Sequence, residues 1–242
     1  IVEGFAQLMN DKARMLGLNN THFVNPHGLD HPQHYSTARD LGLLARYAMN
    51  NPLFAMTVST KNITVGERRL TNHNKLLWQV EGADGVKTGF TKRSGRCLVS
   101  AAEREGLTLI AVTLSASDDW NDHTKLLNAG FETYERVTLC QSGGYETMVP
   151  VTGGKEGYVV VHNTKEVSIT LPRDRSAMHC TVELPRFLFA TVDANQTIGR
   201  LVFRCDVEGD GKSEVLATVP LSTAYAVERK KPKGLFERLL AR

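Results

Sequence analysis

Residues Gly82-Ala-Asp-Gly-Val-Lys-Thr-Gly-Phe-Thr91 bring a lysine, two hydroxyls and several glycines into one short stretch. Asp84-Gly85 has turn chemistry, Val86 is apolar, and the alternation that follows fits a strand. On that spacing Lys87, Gly89 and Thr91 share one face and Thr88 takes the other. Such a strand offers a cationic amine close to backbone N–H groups. Gly89, lacking a side chain, lets another peptide approach the main chain closely. The chemistry suited to it is acyl transfer, where the lysine charge holds a carboxylate and electropositive surroundings favour proton removal.

Around this strand the pattern reads as helices plus an antiparallel sheet. Residues 1–18 have helical spacing at Val2, Phe5, Met9, Ala13 and Leu16, closed by Gly17. No capping residue precedes them, which is expected of a segment cut from a longer chain. A loop rich in Asn, Pro, Gly and His follows. Ser36 or Thr37 then caps a helix through about residue 50, with Leu41, Leu44, Ala45 and Ala48 on its apolar face and Arg39-Asp40 as a surface pair. From Thr57 to Thr113 the character is β, with a hairpin at Gly66-Glu67 and two apolar strands joined at Glu105-Gly106. Asp118 caps a last helix whose candidate core residues are Trp120, Leu126, Leu127, Phe131 and Tyr134.

Past about Cys140, short alternating strands separated by Gly, Pro, Asn and Asp turns predict an all-β sandwich. The end, Glu228-Arg-Lys-Lys-Pro-Lys-Gly-Leu-Phe-Glu-Arg-Leu-Leu-Ala-Arg242, places Leu235, Phe236, Leu239 and Leu240 on one helical face among lysines and arginines. That composition suits the interface of an anionic membrane, or a solvated tail. The expected organisation is therefore 1–139, 140–228 and a basic amphipathic tail, 229–242.

Apolar content of 41% and charged content of 23% are those of an ordinary globular protein. The net charge of +3 is too small and too scattered for nucleic acid to be the main partner. No run of about 18 apolar residues is present. Cys97, Cys140, Cys180 and Cys205 are far apart and read as small buried hydrophobes rather than a zinc site, with a disulfide left open for an exported protein. His22, His27, His31 and His34 crowd one loop, but their spacing puts no two of them on one face as a metal site would. Neither a metal nor another cofactor is expected.

The segments at 16–30 (LGLNNTHFVNPHGLD), 34–49 (HYSTARDLGLLARYAM), 70–78 (LTNHNKLLW) and 84–102 (DGVKTGFTKRSGRCLVSAA) resemble, in order and spacing, the low-molecular-mass D-alanyl-D-alanine carboxypeptidases. These belong to the penicillin-binding, serine DD-peptidase and β-lactamase superfamily, in which the lysine strand is the third motif. The resemblance implies an α+β fold: part of a DD-peptidase domain, with helices on an antiparallel sheet, and then a small all-β sandwich.

It also implies a serine enzyme that removes the terminal D-alanine of peptidoglycan stem peptides outside the cytoplasmic membrane and is acylated by β-lactams. Lys87 would take the electrostatic catalytic role, and Thr88, Gly89 and Thr91 would line the substrate strand. His73 would sit where some relatives carry an arginine near the substrate carboxylate, and would be charged mainly below about pH 6.5. Phe90 departs from the polar residue frequent after the glycine. The family's Ser-x-x-Lys and Ser-x-Asn motifs do not occur in these 242 residues, Thr152-Gly-Gly-Lys155 being a chance likeness in a loop. The expected reading is a fragment lacking its nucleophile, inactive alone, with a non-catalytic wall or membrane scaffold as the alternative.

Overall fold

The computed structural model describes residues 1–175, 177–206 and 213–231. The chain divides into two compact units, Ile1–Glu135 and Arg136–Arg242.

The first unit opens with α1 (Val2–Met15), which ends as its sequence dictates. Gly17 takes φ +71° and the Leu18 N–H turns back to the Ala13 carbonyl at 2.9 Å. Of the expected apolar face, Ala13 is buried, whereas Val2 and Phe5 remain about half exposed. Helix α2 (Ala38–Met49) is capped by Thr37, whose hydroxyl accepts the Asp40 N–H at 3.2 Å. Asp40 is not the surface partner of Arg39. It is buried, and it accepts the Asn20 N–H at 2.9 Å and the Thr21 hydroxyl at 2.8 Å.

Helix α3 (Pro52–Ser59) stands where the sequence pattern predicts the onset of β structure. Asn51 accepts the Leu53 and Phe54 N–H groups and Pro52 presets the first turn, which outweighs the β-branched Thr57 and Val58. The hairpin of β1 (Asn62–Val65) and β2 (Arg68–Thr71) turns at Gly66, and the short α4 (Leu76–Gln79) follows.

Strands β3 (Ala83–Thr91), β4 (Gly95–Arg104) and β5 (Leu107–Thr113) form an antiparallel sheet in that order. Thr88 lies opposite Leu98, and Leu98 opposite Thr113; Lys87 lies opposite Val99, and Val99 opposite Val112. Leu98, Ser100 and Ala102 therefore share one face, which α5 (Asp119–Thr133) covers with Leu127 and Phe131. His123 of α5 is fully buried there. Ser100 Oγ lies 2.6 Å from its Nδ1 and Thr113 Oγ1 2.9 Å from its Nε2. Leu126 and Tyr134, expected in this core, are exposed. Nor does the Asp118 side chain cap α5; its carboxylate accepts from the Asn121 amide instead. On the opposite face, Val58 of α3 comes so near Gly85 that a Cβ there would meet its Cγ2 at 2.7 Å. With φ +139° as well, position 85 admits little but glycine.

The second unit contains β6 (Tyr134–Cys140, beginning at the boundary), β7 (Glu146–Thr152), β8 (Tyr158–His162), β9 (Val167–Pro172), β10 (Met178–Glu183), β11 (Leu188–Phe189), β12 (Thr197–Asp206) and β13 (Ser213–Thr223). Six strands pair in the order β10-β12-β13-β8-β7-β11, all antiparallel except β11 with β7. Strands β6 and β9 pair separately. Alternation buries Val149 and Val151 of β7, Val159 and Val161 of β8, and Val219 and Leu221 of β13 in one core, to which β6 adds Cys140. The sandwich is thus lopsided, six strands against two.

None of the four cysteines is in a disulfide. Burial raises the pKa of Cys140, but Cys180 is exposed rather than buried as expected. Among the described residues no helix is long and apolar enough to cross a membrane. Residues 232–242, which carry most of the expected amphipathic tail, lie outside the described residues.

Candidate active site

Among the described residues β3 pairs with β4 alone, so its other edge presents unpaired backbone groups. A cleft of about 370 Å³ runs along that edge, lined by His73, Lys87, Thr88, Gly89 and Phe90. Arg96, Asp119 and Trp120 complete the lining. Residues from both faces of β3 contribute, and Arg96 of β4 with Asp119 and Trp120 of α5 come from beyond that strand. Four of the five residues singled out in the sequence are thereby brought together.

Lys87 is exposed, and its ammonium donates to the Thr88 carbonyl at 2.5 Å. Among the described residues no carboxylate lies within ion-pairing distance of it. Gly89 has no steric duty toward the fold: a Cβ there would meet the Cys97 carbonyl oxygen at 3.8 Å, an ordinary contact. What its missing side chain keeps clear is the cleft. Phe90 is 70% exposed and puts an apolar ring at the cleft wall.

The fifth residue, Thr91, is not in the lining. Its hydroxyl donates to Asp30 at 2.9 Å and accepts the Ser94 N–H at 2.9 Å, while the Ser94 hydroxyl reaches the same Asp30 oxygen at 3.0 Å. Asp30 thus pins the end of the lysine strand to the histidine-rich loop. In that loop the Nδ1 atoms of His27, His31 and His34 accept the N–H groups of Leu29, Gln33 and Val24. Three imidazoles there serve the backbone, and those bonds need the neutral ring. His34 is held below its ordinary pKa, first by burial and then by the neighbouring histidines, with Asp30 opposing.

Arg96 was not visible as a site residue in the sequence. The signal was available in the hairpin register, since the three-residue turn after Thr91 sets Arg96 opposite Phe90. Its guanidinium donates twice to Asp119 Oδ1, at 2.8 and 3.0 Å, and lies 5.6 Å from the centre of the Trp120 ring. Asp119 is almost wholly buried, whereas Arg96 keeps 41% of its side chain in solvent. The pair leaves the cleft with a net positive character carried by Lys87. His73 also lines the cleft, next to Asn72, whose amide donates to the Val58 and Thr60 carbonyls. Such a cleft can bind the carboxylate of a short peptide while its backbone pairs with β3.

Residues 2–118 match the family model described as D-alanyl-D-alanine carboxypeptidase. The chain is 30% identical over 232 residues to the D-alanyl-D-alanine carboxypeptidase DacF of Bacillus subtilis, covering 92% of this chain and 60% of that protein. It is 37% identical over 176 residues to DacC of Escherichia coli, covering 71% and 44%. The structure of penicillin binding protein 5 from Haemophilus influenzae superposes with a TM-score of 0.69 at 29% identity, covering 94% of this chain and 67% of that one. Residues 2–118 thus match the D-alanyl-D-alanine carboxypeptidase family, and the similarity to its members extends over most of the chain. It spans 44% to 60% of the length of these two curated relatives.

Proposed function

We propose that the β3 edge is one wall of a serine-type D-Ala-D-Ala carboxypeptidase site, which trims the terminal D-alanine from peptidoglycan stem peptides and is acylated by β-lactams. The observation that carries this reading is the free edge of Lys87-Thr88-Gly89, lining a cationic cleft in a chain similar to this family. Lys87 supplies positive charge toward the developing oxyanion and the substrate carboxylate. Thr88 and Gly89 receive the peptide backbone, and His73 lies near the substrate carboxylate. Thr91 supports the strand from its end through Asp30. Such an enzyme works outside the cytoplasmic membrane, held peripherally by the basic tail from 229 onward, with 140–228 as its β domain.

The nucleophile is a serine that these 242 residues do not carry in a Ser-x-x-Lys motif, and this favours a second reading: a wall- or membrane-bound module without catalysis. The intact mass after exposure to benzylpenicillin decides between them. It is measured on the 242 residues alone and on the same residues preceded by whatever the reading frame encodes ahead of Ile1. A covalent adduct on the longer chain alone supports the enzyme. An adduct on neither supports the module, and an adduct on the short chain means a different nucleophile.

A further inference from the structure

At the edge of the six-stranded sheet, β11 is two residues long, and alternation sets Leu188 into the core while its neighbours point outward. Those neighbours are Phe187 and Phe189, 50% and 70% exposed, with ring centroids 5.2 Å apart at 88°. A folded protein gains nothing by leaving two phenylalanines side by side in water.

The surroundings of the pair are basic. Arg186 precedes it and is exposed. Phe189 lies opposite Thr152 of β7, and the loop that follows, Gly153-Gly154-Lys155, pairs with the first residues of the tail. Lys230 N–H donates to the Gly153 carbonyl at 2.8 Å, and Gly154 bridges to Arg229. Arg229, Lys230 and Lys231 are all exposed. The carboxylates at this edge, Glu228 and Glu156, both act on Lys155, Glu228 through a direct hydrogen bond to its ammonium. Four cations from two segments therefore flank the aromatic pair, and with Lys155 they outnumber the two carboxylates of this edge five to two.

We propose that this edge is a docking surface for an anionic lipid bilayer, with Phe187 and Phe189 entering the interface and Arg186, Arg229, Lys230 and Lys231 contacting headgroups. Aromatic rings flanked by cations match the two layers of such an interface, apolar beneath and anionic above. A sugar chain would be met by a flat ring face. Here the two rings stand perpendicular to each other and form no single flat platform, and insertion into lipid has no need of flatness. The proposal does not depend on the carboxypeptidase reading.

The test is sedimentation of the full 242-residue chain with phosphatidylglycerol vesicles and with phosphatidylcholine vesicles. The chain should bind the first and not the second, with binding falling about fivefold for each basic residue removed at this edge. Phe187→Ser/Phe189→Ser, with residues 232–242 unchanged, should weaken partitioning at least about tenfold without lowering the melting temperature. The Leu/Leu variant should retain most of it. Phe189→Trp should show a blue-shifted emission with phosphatidylglycerol, read as the difference from the parent chain. Absence of that shift, or full binding by the Ser/Ser variant, overturns the proposal and assigns any binding to the tail. Phe-dependent capture by purified peptidoglycan with no vesicle binding also overturns it, and makes the wall the partner.

Discussion

His123 sits fully buried between Ser100 and Thr113, and burial holds its pKa below the ordinary histidine value although Asp119 and Asp122 pull the other way. The unfolded chain therefore takes up a proton that the folded chain refuses. The stability this protects is complete above the ordinary value of about 6.5 and is lost as pH falls toward the folded pKa, at up to about 1.4 kcal/mol per pH unit. His34 is shifted in the same direction and adds to the slope. Urea unfolding between pH 7.5 and 5 should show falling midpoints, and His123→Gln should flatten the decline while costing roughly 1–3 kcal/mol at pH 7.5. At the cleft, Lys87→Met should reduce benzylpenicillin labelling of the longer chain roughly hundredfold, with the melting temperature unchanged because the ammonium is exposed. Gly89→Ala should behave alike: a normal melting curve, and labelling that is slow because a methyl group stands where the ligand backbone would lie.

Among the elements, α2 is held at its start by two devices of unequal strength. Thr37→Ala removes a cap and should cost about 1 kcal/mol. Asp40→Ala removes a buried carboxylate that accepts from Asn20 and Thr21, and should cost roughly 2–3 kcal/mol in denaturant unfolding. The cap was legible in the sequence, because Thr37 precedes the periodic run. The buried acceptor was not, because its partners come from a loop twenty residues earlier. A similar divide runs through the other elements. The strand β3, its partners and α5 followed from alternation and turn residues. Helix α3 did not, since β-branched residues at 57 and 58 masked an Asn-Pro start. The cleft was half legible: Lys87, Thr88, Gly89 and His73 are local motif residues. Arg96, Asp119 and Trp120 join them only through hairpin register and the placement of α5, which no single segment encodes.

For the whole molecule, the two units have separate cores, one built on β4, β5 and α5, the other on β7, β8, β12 and β13. Calorimetry should accordingly resolve two transitions. Leu98→Ala should lower one by roughly 2–5 kcal/mol and Leu221→Ala the other by a similar amount, each leaving its neighbour in place. A single transition that both substitutions shift would show that the units unfold together.

The glycine at position 89 has one more consequence. Because the hairpin tolerates a side chain there, a survey of every substitution scored by cellular abundance would pass over it as a silent surface position. The same library scored by antibiotic labelling would mark it as intolerant. Gly85, wedged against Val58, would register in both surveys. Subtracting one map from the other would therefore outline the cleft without a ligand ever being seen in it.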